Sequence, residues 1–341
     1  MKIKKNAFLK FKKKDKYKKI KISDNNNYFI KKIPKKYIII ISFIFISFTI
    51  GALITIIYKN KYETTVDNNN NIYLDSYETN VYLQIKEKLE NNGCSQMWAN
   101  QREFLNGVIR KFRPKKIVEI GVNNGGGSCI ILNAIQDIEN AHLYSIDLSD
   151  GSHIGRCVKK LFPQFLNKWT LFKGDVAAKF MEQIGNDIDM VFIDSAHLEP
   201  GEILDFIMTL PFLKEEAIVG FHDIANQIND KLNSRDEWAP YIIYNVIRGK
   251  SYLPSGDTLL KHDIGIRILD KNQKRYHQDY FRALGGQWQY FPKEKHIELI
   301  TEYFKKYYDN NCSLIFKEAV EFNRHFVKKF PKKQFYGFNS D

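Results

Sequence analysis

Four short apolar runs in this chain each lead into an acid within three residues. His142-Leu-Tyr-Ser-Ile146 runs into Asp147, Thr170-Leu-Phe172 into Gly174-Asp175, Asp189-Met-Val-Phe-Ile193 into Asp194, and Ala217-Ile-Val-Gly-Phe221 into His222-Asp223. An ionised carboxylate is a pair of hydrogen-bond acceptors and a hard oxygen ligand, and an imidazole titrates near neutrality. Together Asp194, His197, His222 and Asp223 have the groups needed to hold a polar ligand and move a proton. His197 suits a general base that takes a hydroxyl proton, the alternative being a histidine that only ties its own loop. A sheet kept for structure alone has no need to gather carboxylates along one edge.

The elements that must position these residues are visible in the same pattern. Helical stripes at Phe104, Leu105, Val108, Ile109 and Phe112, at Ile130, Ile131, Ala134 and Ile135, and at Ile203, Leu204, Ile207 and Leu210 alternate with the apolar runs. Near-continuous apolar strands alternating with helices predict an α/β fold, a doubly wound and mostly parallel sheet covered on both faces. Ligands of such sheets bind outside the carboxyl ends of the strands, where the four acids fall. A first strand, Lys116-Ile-Val-Glu-Ile120, opens into the turn Val118-Glu-Ile-Gly-Val-Asn-Asn-Gly-Gly-Gly-Ser128. Gly121 permits the tight turn and Gly125 to Gly127 admit a ligand close to the backbone. A dinucleotide fingerprint would want G-x-G-x-x-G, but Asn123 stands at the second glycine. Glu119, two residues before Gly121, suits a cationic ligand better than a pyrophosphate.

These residues resemble motif I of the class I S-adenosylmethionine-dependent methyltransferases, acid-x-Gly-x-x-x-Gly. The likeness continues in order through Tyr144-Ser-Ile-Asp147, Gly174-Asp175, Val191-Phe-Ile-Asp-Ser-Ala-His197 and Gly220-Phe-His-Asp223, and covers about residues 100–270. The pattern is similar to that of metal-dependent O-methyltransferases of sugars and small molecules. The resemblance implies that Glu119, Gly121, Asn123 and Gly125 hold the methionine portion of S-adenosylmethionine. It implies that Asp147 accepts from the ribose hydroxyls, and that Asp175 and Val176 flank the adenine. It places catalysis at Asp194 and His197 and a divalent cation, Mg²⁺ or similar, at Asp194, His222 and Asp223. His222 departs from the acid that such relatives often carry. The implied reaction is O-methylation of a small-molecule or glycan hydroxyl. The competing reading is a non-catalytic or nucleotide-binding module on the same Rossmann-like fold.

Charge and hydropathy set the surroundings. The chain has 341 residues and a net charge of +13. Residues 1–36 hold 15 Lys against Asp15 and Asp24, so the excess lies there and the remainder balances. The folded part offers no basic field for nucleic acid. Tyr37 to Tyr58 is 22 residues without a charge, long enough for a membrane span, since a helix needs about 20 apolar residues. It begins too late and runs too long for a cleaved signal peptide. The expected order is a Lys-rich tail (1–36), a single transmembrane helix in the lipid bilayer (37–58), a polar Asn-rich stalk (59–80), a methyltransferase domain (81–270) and a helical, aromatic-rich extension (271–341). The basic tail predicts a single-pass protein with a cytoplasmic N-terminus and leaves the side of the catalytic domain open, because its cofactor is normally cytosolic. Cys94, Cys129, Cys157 and Cys312 form no C-x-x-C pair and read as isolated thiols. Trp238, Trp288, Tyr290 and Phe291 read as core or as the lining of an acceptor pocket.

Overall fold

In the computed structural model, residues 72–73, 77–225, 238–254 and 263–329 are described. They lie in one unit, Asn68–Asp341, built on a sheet of eight strands: β1 (Ile72–Tyr73), β2 (Lys116–Ile120), β3 (His142–Asp147), β4 (Trp169–Lys173), β5 (Ile188–Ile193), β6 (Leu213–His222), β7 (Gly249–Leu253) and β8 (Ile264–Leu269). Their order across the sheet is β1-β7-β8-β6-β5-β2-β3-β4. The pairs among β2 to β6 are parallel, and β8 runs antiparallel between β6 and β7. The chain steps outward from β2 to β4 and then returns to β5 on the other side of β2. The crevice between the ends of β2 and β5 is therefore the topological switch point, where α/β sheets take their ligands.

Both faces of the sheet are covered, which is why its central strands read as continuous apolar runs. Ile117, Val118, Val191, Phe192 and Val219 are fully buried. One face carries α1 (Thr79–Asn91), α2 (Ala99–Phe112), α3 (Gly126–Ala134) and α4 (Arg156–Leu161), packed through Tyr82, Leu89, Phe104, Val108 and Ile131. The other carries α5 (Met181–Ile184), α6 (Gly201–Thr209), α7 (Ala239–Val246), α8 (His277–Arg282), α9 (Glu294–Tyr307) and α10 (Asn310–Lys329). Phe206, Tyr280, Phe281, Phe304 and Phe316 fill that side. Each such side chain contributes about 1.5–3 kcal/mol by leaving water.

The strands expected at 116–120, 142–146, 170–172, 189–193 and 217–221 are present, as are the expected helices. Several features differ from the sequence reading. Ile72–Tyr73, inside the stretch read as stalk, pairs in parallel with β7. Trp238 is 42% exposed, whereas Trp288 is core, as one of its two readings had it, 3% exposed and with its backbone N–H donated to Asn323 Oδ1. Cys94 and Cys157 are joined in a disulfide rather than standing as isolated thiols. Their 63-residue separation gives no local signal; only the fold brings the two loops within bonding distance. Among the described residues no helix is long and apolar enough to cross a membrane. The expected tail (1–36) and span (37–58) lie outside the described residues.

Candidate active site

The turn after β2 is built by close approach. Gly121 has φ +88°, and a Cβ there would lie 1.9 Å from the carbonyl oxygen of Asp194, so only glycine lets the ends of β2 and β5 meet. At Gly126 a Cβ would lie 2.2 Å from the Cys94 carbonyl oxygen. On the opposite side Gly155 N–H donates to Asn123 O (2.7 Å) and Cys157 N–H to Asn124 O (2.8 Å). The disulfide therefore links the two segments between which the glycine-rich turn is held.

The acids of this half face backbone and hydroxyl donors. Asp147 Oδ2 accepts from the N–H groups of Val122 (3.0 Å) and Asn123 (2.9 Å), and its Oδ1 accepts from Ser149 N–H (2.8 Å). Asn123 has φ +47°, a conformation Asn tolerates better than most residues. Asp175 Oδ1 accepts from Val176 N–H (2.9 Å), and His296 of α9, itself buried, places Nε2 3.6 Å from the same oxygen. Glu119 is enclosed, 1% exposed. Its Oε2 accepts from Ser128 Oγ (2.5 Å) and Ser145 Oγ (2.6 Å), and Ser145 Oγ accepts from Trp169 Nε1 (2.8 Å). Burial outweighs these hydroxyls and pushes its carboxyl up to about 8. Glu119, expected beside the methionine portion of the cofactor, thus lies enclosed next to the turn, on Ser128 and Ser145.

The other half is a cluster of side chains. His222 Nδ1 lies 3.2 Å from Asp194 Oδ1 and 3.3 Å from Asp223 Oδ1, while its Nε2 faces Gln101 Oε1 at 3.2 Å. His197 Nε2 lies 3.1 Å from Asp223 Oδ2 and 3.7 Å from Asp194 Oδ1. Its Nδ1 faces Glu202 Oε1 at 3.2 Å, and its backbone N–H donates to that oxygen. Burial opposes charge on both rings, yet the neighbouring carboxylates prevail. They raise His222 well above its usual value and His197 to about 10. Burial and the adjacent Asp223 carboxylate push Asp263 up to about 7, while His222 and His197 hold Asp223 below the usual carboxylate range despite its burial. Burial likewise raises Asp205 to about 7, though Ser195 Oγ donates to its Oδ2 at 2.7 Å.

The four residues expected to converge do so. Ligand atoms of Asp194, His197 and Asp223 all lie within 4.8 Å of one another, a grouping able to hold a cation. The expected triad had His222 in place of His197. In the structure both imidazoles face the two acids, His222 through Nδ1 and His197 through Nε2. Three residues of the cluster escaped the sequence reading: Gln101, Glu202 and Asp263. Gln101 and Glu202 lie in the first turns of α2 and α6, just ahead of the stripes that read as helix. Asp263 precedes β8, far along the chain from Asp223.

Comparison with known proteins follows this geometry. Residues 118–224 match the family model described as a methyltransferase domain. No curated protein matches the chain. Solved structures similar to it include an O-methyltransferase from Bacillus cereus in complex with SAH, at 13% identity over 55% of this chain and 90% of that one, TM-score 0.43. The O-methyltransferase TomG from Streptomyces achromogenes, in complex with SAM, is 16% identical over 58% and 92%, TM-score 0.42. SAH-bound methyltransferase PaMTH1 from Podospora anserina is 14% identical over 54% and 79%, TM-score 0.37. The matched segment runs from the middle of β2 to just past Asp223, and so contains the turn, all four strand-end acids and both histidines. Residues 118–224 thus carry a methyltransferase domain.

Proposed function

We propose that the chain methylates a hydroxyl of a small-molecule or glycan acceptor, at the edge formed by Asp194, His197, His222 and Asp223. The observation that carries this reading is the meeting of two histidines and two carboxylates beside the glycine turn at the switch point. When bound, S-adenosylmethionine supplies a methyl group on a sulfonium, open to in-line displacement. The glycine turn at Gly121, Asn123 and Gly125 and the acids Asp147 and Asp175 suit its methionine, ribose and adenine portions, with Val176 beside the adenine. Asp147 still has acceptor capacity on Oδ1, which takes a single N–H. Asp175 is about a quarter exposed and open to a ligand.

At the reaction edge, Asp194 and Asp223 would receive the proton-bearing side of the acceptor. A divalent cation, where present, would be held by Asp194, His197 and Asp223 and would lower the pKa of the acceptor hydroxyl. One imidazole among two carboxylates favours a cation that tolerates nitrogen over a strictly oxygen-seeking one.

The same reading places the domain on a single-pass anchor at 37–58 with a cytoplasmic N-terminus. The disulfide supports a catalytic domain on the far, oxidising side, since such bonds are rare in reducing compartments. Calorimetry on the full chain tests the function: S-adenosylhomocysteine should bind and raise the melting temperature, and NAD should do neither. With acceptor supplied, a chelator or Asp194→Ala should abolish turnover and leave S-adenosylhomocysteine affinity intact. If turnover survives both, the reaction edge has been misplaced. For the anchor, deletion of residues 1–60 should release the domain from membranes, and persistent sedimentation would refute it.

A further inference from the structure

Glu202 stands behind the reaction edge, in the first turn of α6, with no exposed surface. Its Oε1 does three things at once. It accepts the backbone N–H of His197, receives Ser195 Oγ at 3.3 Å, and lies 3.2 Å from His197 Nδ1, an ion-pair contact outside hydrogen-bond geometry. His197 is held at φ +58°, in the left-handed region that a residue with a Cβ occupies only when its surroundings impose it. That backbone turn folds the imidazole back toward Asp194, three residues earlier. The ring then bridges two elements, with Nδ1 toward α6 and Nε2 toward the ends of β5 and β6. Glu202 Oε2 is buried and, among the described residues, has no hydrogen-bond partner. Burying a carboxylate with one oxygen unsatisfied is unfavourable.

We propose that Glu202 is a positioning residue, clamping the backbone and Nδ1 of His197 so that Nε2 faces the space between Asp194 and Asp223. The inference rests on the reading of that space as the reaction centre. A carboxylate behind an imidazole fixes which nitrogen points into a site, and removing such a partner typically weakens the site roughly 10- to 100-fold. Asp205 does not share the role: it is bonded to Ser195, not to His197.

The test is Glu202→Gln in the full chain, with histidine ring nitrogens labelled by ¹⁵N and the His197 signals identified by their loss in His197→Ala. Three readouts separate the possibilities: the ring shifts of His197 and His222, the affinity for S-adenosylhomocysteine, and the rate at which S-adenosylmethionine is consumed. Expected are displaced His197 shifts, His222 shifts that stay in place, unchanged cofactor affinity, and a kcat lowered roughly 10- to 100-fold with the cofactor KM unchanged. Unmoved His197 shifts would overturn the proposal, as would displaced shifts with kcat intact. Should Glu202→Gln fail to fold, Glu202→Asp decides. It keeps the charge but falls short of Nδ1, so it must give the same displacement and loss of rate. Wild type that binds no S-adenosylhomocysteine would instead undo the underlying assignment, whatever His197 does.

Discussion

At the ends of β2 and β3 the acids face backbone N–H groups and hydroxyls; at the ends of β5 and β6 they face imidazoles, and at the end of β4 Asp175 faces one of each. Asp147 takes three backbone donors and Glu119 two serine hydroxyls, so this half is held by groups that do not titrate. Asp194 and Asp223 instead share His222 and His197, with Glu202 and Asp263 packed behind. The first arrangement suits a ligand that must be recognised by shape and by fixed acceptors. The second suits chemistry, because its charges respond to a proton, a hydroxyl or a cation. One sheet edge thus carries a rigid half and a responsive half, joined where Gly121 touches Asp194.

The largest effect should come from opening the clasp around the rigid half. Replacing Cys94 and Cys157 together by Ser removes a cross-link over a 63-residue separation, which chain entropy values at about 4 kcal/mol. Urea unfolding should show that loss, and S-adenosylhomocysteine should bind more weakly, with the His197 ring signals in place. If those signals move as well, the two halves are not separable. Next, Asp223→Asn keeps the shape of the responsive half and leaves two imidazoles short of a counter-charge. We expect about 3 kcal/mol lost in unfolding, as for a broken buried pair, with cofactor affinity preserved. A fall in cofactor affinity would break the comparison from the other side.

Asp147→Ala should weaken S-adenosylhomocysteine binding by about 1.5–3 kcal/mol, the range for hydrogen bonds to a charged group. Calorimetry checks it, and unchanged affinity would remove Asp147 from the ribose site. A separate effect is on pH dependence. Glu119 is raised to about 8 in the fold, above its unfolded value near 4.3. Between these values the folded state holds the proton and the unfolded state does not, so the stabilising share of Glu119 is lost as pH rises from about 4.3 toward 8. Glu119→Gln should therefore gain on wild type by at most about 1.4 kcal/mol per pH unit across that window. Parallel unfolding curves for the two proteins at pH 5 and pH 8 would contradict it.

The rigid half was the more legible in sequence. A glycine turn after an apolar strand, and an acid closing each strand, are local patterns, and the period-2 and period-3.6 signals around them specify the sheet. Sequence also placed Asp194, His197, His222 and Asp223 at one edge, because parallel strands all end on the same side. What it could not supply was which nitrogen faces which oxygen. His197 joins His222 beside the two acids because a left-handed backbone at residue 197 and a buried Glu202 turn its ring inward, and neither has a signature in composition or spacing. Glu119 read as a ligand contact because an acid beside a glycine turn looks available; only packing shows it enclosed by Ser128 and Ser145. The Cys94–Cys157 pair and the approach of Asp263 to Asp223 join residues 63 and 40 positions apart. Such contacts exist only once the chain has folded, since proximity between distant residues is a property of topology. The sequence by itself thus determined the kind of sheet and the edge that carries the chemistry. The tertiary structure decided which side chains meet there, and in what orientation, because hydrogen-bond geometry is set by packing from every side.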